Sequence, residues 1–448
     1  MKEKQSKRKM KLGFLALLCL PMLAHAQATP HDSIRIDLNK AIEIALNESP
    51  TIRIAERDIQ TKKYTKTEQI ITLFPNASLV GSYSRTLKKQ VMTMDFGGQV
   101  MEIEVGTDNN YSGGLNFSMP IVNASLWNSI KLSQMDVEMA FESARASKLS
   151  LINEVKKAYY TLLFARESYE VLQKNYDNIV LTYNNVLSKY NQGMASEFEK
   201  LRAEVQMKNQ RPALLSAKSN LELAAMMLKV MIGLNVDEAI VFDGKLSDYE
   251  QLLKNNAIPN VDSLSLANNA QLTQLRLLEK QLEKSKDIII SSACPSLHLS
   301  GNYQYTTMNN DFKFADYKWN PYSMIGLSLS IPLVSWAGTA YKIKSSNLNI
   351  ENMKDQRLTL ERNLKISINN SIINIKNAIE ELESNKETML QAEKAYEISL
   401  KQYEIGMSTW LDLSSAELAY VGAKLSYNQS IFNYLTAYAK LDETIGKE

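Results

Sequence analysis

The sequence predicts a mainly α-helical chain with a membrane β-barrel portion, in which long coiled-coil helices and four β-strands are laid out as an internal tandem duplication. Three observations predict it. The first is a repeated set of motifs. Pro75, Gly81 and Tyr83 recur at identical spacing as Pro295, Gly301 and Tyr303, the run Gly114 to Val122 returns as Gly326 to Val334, and Tyr190-x-x-Gly193-Met194 returns as Tyr403-x-x-Gly406-Met407. Order and spacing are kept in both copies, so the chain is a doubled unit. The second is helix length: with only Gly 16 and Pro 10 in 448 residues, the helix breakers fall well below the roughly 7% and 5% of average usage. The third is a strict two-residue alternation in short segments beside the long helices.

The elements follow in order. Residues 1–26 have the build of a cleaved signal peptide: Lys2, Lys4, Lys7, Arg8, Lys9 and Lys11 are basic, Leu12 to Leu23 are largely apolar, and Ala24-His25-Ala26 fits the cleavage rule. An exported protein is expected. Cys19 lacks the preceding small residue of a lipoprotein site, which leaves Cys294 as the only cysteine of the mature chain and excludes an internal disulfide framework. No later stretch reaches the 18 or so apolar residues of a membrane helix, so insertion would have to be as strands. The net charge of +2 gives no reason to expect nucleic acid.

The first repeat is expected over 27–235, with a helix, strands near 76–87 and 109–120, a long helix over 124–189 and a return helix over 196–233. A connector, 236–259, precedes the second repeat over 260–448, with a helix, strands near 295–306 and 319–332, a long helix over 337–402 and a return helix over 409–445. The first long helix runs without Pro or Gly for about 66 residues, or about 100 Å at 1.5 Å per residue. Along it Val155, Tyr159, Leu162, Ala165, Tyr169, Leu172, Tyr176, Ile179, Tyr183, Val186 and Tyr190 step by three and four, the pattern of coiled-coil packing. The second keeps the frame with Ile368, Ile372, Ile375, Ala378, Leu382, Met389, Ala392, Tyr396 and Tyr403, interrupted at Asn385 and Ser399. These side chains read as core.

In the strands the period is two. Leu297, Leu299, Gly301, Tyr303 and Tyr305 alternate with His298, Ser300, Asn302 and Gln304, and Ile325, Leu327, Leu329 and Ile331 share a face in the partner strand. Such alternation fits a half-buried soluble sheet or a barrel with lipid outside and water inside. Strands of 10 to 12 residues match the length that crosses a bilayer at a tilt. Tyr83, Tyr111, Tyr303, Tyr305, Trp319 and Tyr322 fall near the outer ends, where an aromatic girdle belongs, and the segments 87–110 and 307–318 read as polar outer loops. Four strands cannot close a barrel, since about eight is the small end. Copies of the chain must share one, two copies giving eight strands and three giving twelve.

In these motifs the chain resembles the TolC-type outer-membrane efflux proteins over essentially its whole mature length. The resemblance rests on the opening helix Leu38-Asn-Lys-Ala41-Ile42-Glu-Ile-Ala45-Leu46-Asn47-Glu-Ser49-Pro50, on the strand ends at Pro120 and Pro332, and on the two Tyr-x-x-Gly-Met turns. It implies a homotrimer with one shared twelve-stranded barrel in outer-membrane lipid and a hollow α-helical barrel through the periplasm. It further implies docking on a periplasmic adaptor and, through it, on an inner-membrane pump. Pro75, Tyr83, Pro120, Pro295, Tyr303 and Pro332 are then strand-end residues. Tyr190, Gly193, Met194, Tyr403, Gly406 and Met407 mark the tip turns that meet the adaptor, and Glu199 and Asp412 stand near the periplasmic aperture. Ser408 takes the place where some relatives have a basic gating residue.

Bottom-up, Gly193 and Gly406 are helix-terminating glycines, and Glu199 and Asp412 begin return helices, where an acid gains a few tenths to about 1 kcal/mol from the helix dipole. No catalytic, cofactor-binding or metal-binding residues are expected: His31 and His298 are the only mature histidines, and neither a phosphate loop nor zinc spacing occurs. Two other classes compete with a channel. An exported structural coiled-coil protein of the envelope explains the heptads but not polar-inside strands repeated twice. A trimeric autotransporter adhesin would place its four strands together at the C-terminus.

Overall fold

The computed structural model describes residues 34–97, 99–238, 240–250, 266–333 and 336–447; the leader expected at 1–26 and residues 251–259 of the connector lie outside them. Strand β1 (Ile34–Ile36) leads into α1 (Leu38–Glu48), which begins where the Asp37 carboxylate accepts the Lys40 N–H at 2.7 Å. Pro50 opens α2 (Pro50–Ile71) at a first-turn position where its missing N–H has no helical partner to lose. Then come β2 (Asn76–Arg85), β3 (Gln90–Phe96), β4 (Gln99–Val105) and β5 (Asn109–Val122). The helix α3 (Ala124–Asn191) spans 68 residues and returns as α4 (Glu197–Ile232). After β6 (Ile240–Phe242) the second half gives α5 (Ala270–Ser291), β7 (Ser296–Asn309), β8 (Asn320–Ser330), the 69-residue α6 (Trp336–Glu404) and α7 (Trp410–Ile445).

Four strands form one antiparallel sheet in the order β2-β5-β7-β8. Register puts the apolar residues in rows across one face: Leu79 opposite Leu115 and then Tyr303, Ala77 opposite Phe117, Gly301 and Ile325, and Met119 opposite Leu299 and Leu327. The other face carries Ser82, Ser112 and Thr306, then Ser78, Asn116 and Asn302, then Ser118 and Ser300. Val80, Met308, Tyr322 and Met324, with Pro120 at the bulge, are its exceptions. Both outer strands, β2 and β8, are open edges among the described residues.

Strand ends depart from expectation in ways that proline and chain length explain. Pro120 lies inside β5, which continues to Val122 through a register shift, because a residue without an N–H cannot serve the ladder and the strand bulges there. Pro332 follows β8, and its carbonyl accepts the Trp336 indole N–H at 2.9 Å where α6 begins. Pro75 and Pro295 close the same helix-to-strand turn in the two halves, with Phe74 N–H on the Ile71 carbonyl and Cys294 N–H on that of Ser291. Because β7 runs on to Asn309, Tyr303 sits in mid-strand and Tyr322 falls on the polar face opposite Gln304. The outer-end aromatic cluster is instead Tyr83 stacked on Tyr111 at 4.7 Å, with Phe314 and Tyr317 against Tyr111. The segment expected as a plain polar loop holds the β3–β4 hairpin.

The helices stack in two tiers around α3 and α6. Near the sheet α3 packs on α2 and α5, and α5 on α6; further away α3 packs on α4 and α7, and α6 on α7. Along the seam Val155, Tyr159, Leu162, Ile179 and Val186 of α3 and Ile368, Ile372, Ile375, Ala378 and Leu382 of α6 are buried, as the heptads require. Where the tiers meet, Ile36, Ala41, Tyr159, Leu163, Leu228, Ile232, Phe242 and Leu246 are buried together in the core. The Tyr159 hydroxyl donates to the Asp243 carbonyl, and the Arg166 guanidinium donates to the Phe242 carbonyl at 2.7 Å and to that of Gly244. The connector is thereby tied to α3.

Candidate functional site: the helix-hairpin tips

Each long helix ends at its far tip in the same way. At the first tip the Met194 N–H bonds back to the Lys189 carbonyl (2.8 Å) and the Gly193 N–H to that of Tyr190 (2.9 Å); at the second, Met407 bonds to Gln402 (2.8 Å) and Gly406 to Tyr403 (3.1 Å). This doubly bonded stop needs a left-handed residue, and Gly193 at φ 71 and Gly406 at φ 77 supply it. Both methionines then point outward, Met194 at 67% and Met407 at 76% exposure.

The return helices start with reciprocal caps. The Ser196 hydroxyl accepts the Glu199 N–H at 3.2 Å while the Glu199 carboxylate accepts the Ser196 N–H at 2.8 Å; Thr409 and Asp412 do the same at 3.2 and 3.0 Å. Glu199 and Asp412 therefore close capping boxes, each satisfying a donor the helix end would otherwise leave free. The Asp412 carboxyl is held below its ordinary range by the Thr409 hydroxyl and then by the Thr409 N–H. A Ser-x-x-Glu or Thr-x-x-Asp spacing after a tip glycine is the sequence signal for this arrangement.

Basic groups and a tryptophan that sequence spacing did not single out make ring contacts within the first tip and between the two tips. The Lys189 ammonium lies 5.2 Å from the Tyr403 ring centre, the Arg202 guanidinium 5.2 Å from the Trp410 ring, and the Lys200 ammonium 4.9 Å from Tyr190. Contacts of this kind are worth about 0.5–1 kcal/mol each when exposed. The Ser414 hydroxyl donates to the Gln206 amide oxygen at 3.1 Å, joining α7 to α4. Burial pushes the Tyr403 hydroxyl up, with nearby Glu199 adding to it. Ser408 turns back on its own hairpin, donating to the Ser399 carbonyl at 3.4 Å.

About one and a half turns above Asp412 a second carboxyl is buried. Glu417 is 6% exposed, its Oε1 meets no donor among the described residues, and burial raises its pKa to about 7 against a partial opposing effect of the Asn178 amide. Asn178 in turn donates to the Tyr396 hydroxyl at 3.4 Å, and Tyr396 stacks on Tyr420. Asn175 and Asn428 are likewise buried with unpaired amide atoms, and a cavity of about 500 Å³ runs among these side chains. Carboxylates are frequent on solvated helix faces, so nothing in the sequence set Glu417 apart.

The arrangement is a pair of rigid, acid-capped hairpins below long helices that carry an open-edged sheet at the opposite end. The Outer membrane efflux protein family model matches residues 41–234 and 262–447. Outer membrane protein TolC of Vibrio cholerae is 21% identical over 342 residues, 75% of this chain and 76% of that protein. Toxin and drug export protein A of Aggregatibacter actinomycetemcomitans is 21% identical over 416 residues, 89% and 84% of the two chains. Among solved structures, the CmeC outer membrane channel of Campylobacter jejuni aligns over 91% of this chain and 85% of its own with a TM-score of 0.73 at 18% identity. The open-state MtrE outer membrane channel of Neisseria gonorrhoeae aligns over 92% and 89% with a TM-score of 0.72 at 18% identity.

Proposed function

The chain belongs to the outer membrane efflux protein family, and from that premise we propose that it is a trimeric channel-tunnel, fed by a periplasmic adaptor and an inner-membrane pump, that conducts substrates across the periplasm and outer membrane. The observation that carries this is the four-stranded sheet with one continuous apolar face and two unpaired edges. All ten residues of β2 are exposed, as are Ile325, Leu327 and Leu329 of β8. In hydrocarbon each unpaired edge N–H or C=O costs several kcal/mol, so the edges must be joined to other copies. Four strands alternate in direction, so β8 of one copy can continue the antiparallel order onto β2 of the next. Three copies make twelve strands, with Leu79, Leu115, Leu299 and Leu327 toward lipid and the serine and asparagine rows toward a watery lumen.

In this reading the apolar heptads serve the helical barrel, whose wall is about 100 Å long. The tip turns face the adaptor: Tyr190, Gly193 and Met194, with Tyr403, Gly406 and Met407, offer exposed thioethers on stiff glycine stops, a soft surface for a partner helix hairpin. Threefold repetition of Glu199 and Asp412 sets six carboxylates around the aperture, and their common negative potential favours cations. Capping and cation focusing coexist, since a capped carboxylate keeps its charge. The leader expected at 1–26 directs export and is removed.

The test is the native mass of the protein extracted from outer membrane in mild detergent. Three chains, each 50.7 kDa before the leader is removed, give about 140–150 kDa before bound detergent, the mass of a twelve-stranded closure. A water-soluble monomer or dimer would overturn the channel.

A further inference from the structure

The connection between β2 and β5 is a built element. Strands β3 and β4 pair antiparallel with Met94 opposite Met101 and Met92 opposite Ile103, while Thr93 faces Glu102 and Val91 faces Glu104 on the other side. One face of the hairpin is therefore thioether and aliphatic, and the other mixes Asp95, Glu102 and Glu104 with Val91 and Thr93. Met92, Met94, Met101 and Ile103 are exposed at 38–54%, and no other described strand or helix packs substantially against the hairpin. Two strands alone are marginally stable in water and need a covered apolar face. From Gln90 to Val105 the sequence holds Asp95, Glu102 and Glu104 with no Lys or Arg.

Position points to the cover. The hairpin leaves the sheet from β2, one of its open edges, with its stem fixed where the Lys89 ammonium meets Asp108 at 3.0 Å. We propose that the methionine face is an intersubunit clasp that seats on residues 310–319, the β7–β8 connection, of the adjoining copy. The proposal rests on the shared-barrel reading: β8 of the next copy continues the sheet at β2 and brings its own outer turn beside the hairpin. That turn exposes Trp319, and Phe312 beside the Arg85 guanidinium of its own chain, flat rings that thioethers contact well. The contact is heterologous, the kind that closes a ring of identical chains. Long unbranched methionines tolerate the small changes of tilt that ring closure demands.

The experiment uses the full-length protein in mild detergent. Two differently tagged chains are co-expressed in a Cys294→Ser background, one with Met101→Cys and the other with Trp319→Cys, and oxidised. Each chain then has no internal partner, and a disulfide joining the two tags is the expected product. The double substitution Met94→Glu with Met101→Glu should lower the temperature at which the multi-chain species falls apart, while Met94→Leu with Met101→Leu should leave it in place. A multi-chain species with no mixed disulfide and unchanged heat resistance in the Glu variant overturns the clasp and leaves the channel standing. Equal loss in the Leu variant also overturns it, by assigning the face to thioether chemistry such as soft-cation binding. A protein that is monomeric before any substitution overturns the shared barrel and the clasp with it.

Discussion

Replacing Glu417 by Gln should remove a pH dependence built into the seam between α3 and the α6–α7 pair. In the folded chain the Glu417 pKa is raised from 4.5 to about 7, so the folded seam holds a proton that the solvated carboxyl releases. Stability from this group is fully present below pH 4.5 and is lost as pH rises through about 7. At 1.36 kcal/mol per pKa unit the loss is on the order of 3 kcal/mol per chain. The cause is desolvation of a charge whose Oε1 has no donor, with Asn178 as partial compensation and Tyr396 facing it from α6. Gln has the same shape and no charge, so the variant should keep the low-pH behaviour at pH 8. The assay is hydrogen exchange of residues 410–425 in detergent-solubilised protein, corrected for the intrinsic pH effect on exchange. Wild type should open more readily between pH 5 and pH 8 by about a hundredfold, the factor that 3 kcal/mol represents, and Glu417→Gln should not. An identical slope in both proteins, or a carboxyl infrared band of Glu417 that titrates near 4.5, would refute the argument.

Other outcomes follow from the same geometry. At Gly446, φ is 73 and an added Cβ would sit 2.4 Å from the Asn268 carbonyl oxygen, so Gly446→Ala should cost at least the roughly 1–2 kcal/mol of a left-handed alanine, seen as a lowered thermal midpoint. Thr409→Ala removes the N-cap hydroxyl of one capping box and should raise local exchange at the start of α7, whereas Asp412→Asn keeps an amide oxygen that can accept the Thr409 N–H and should raise it less. Only Asp412→Asn should also weaken cation preference in single-channel recordings, and equal selectivity in the two variants would remove Asp412 from the aperture. Because the Asp412 pKa is depressed, its cap should survive mild acid and be lost only as pH falls through that lowered value, below the ordinary 3.8. On the sheet, Ile325→Lys at the middle of β8 should cost about 2–4 kcal/mol and cut outer-membrane yield, whereas Ser328→Lys on the other face should leave yield unchanged and alter conductance.

By itself the sequence determined the doubled plan, the helix lengths, the face of each sheet strand and the positions of the tip glycines. Each is a local matter: period, breaker placement and the left-handed stop are written in neighbouring residues, so Gly193 and Gly406 could be placed without knowing what surrounds them. The Ser196–Glu199 and Thr409–Asp412 caps are written in three-residue spacings, but only the structure adds reciprocal hydrogen bonds to the dipole effect expected of their acids. The β3–β4 hairpin was harder to read, since its methionines and acids mimic a polar loop until the register pairs them. Tertiary structure alone decided the rest. Lys189 meets Tyr403 and Arg202 meets Trp410 across more than two hundred residues, and Glu417 differs from the other helix carboxylates only because α3 and α6 close over it. Charge and burial are properties of the assembled neighbourhood, and a chain read one residue after another does not contain the neighbour that removes the water.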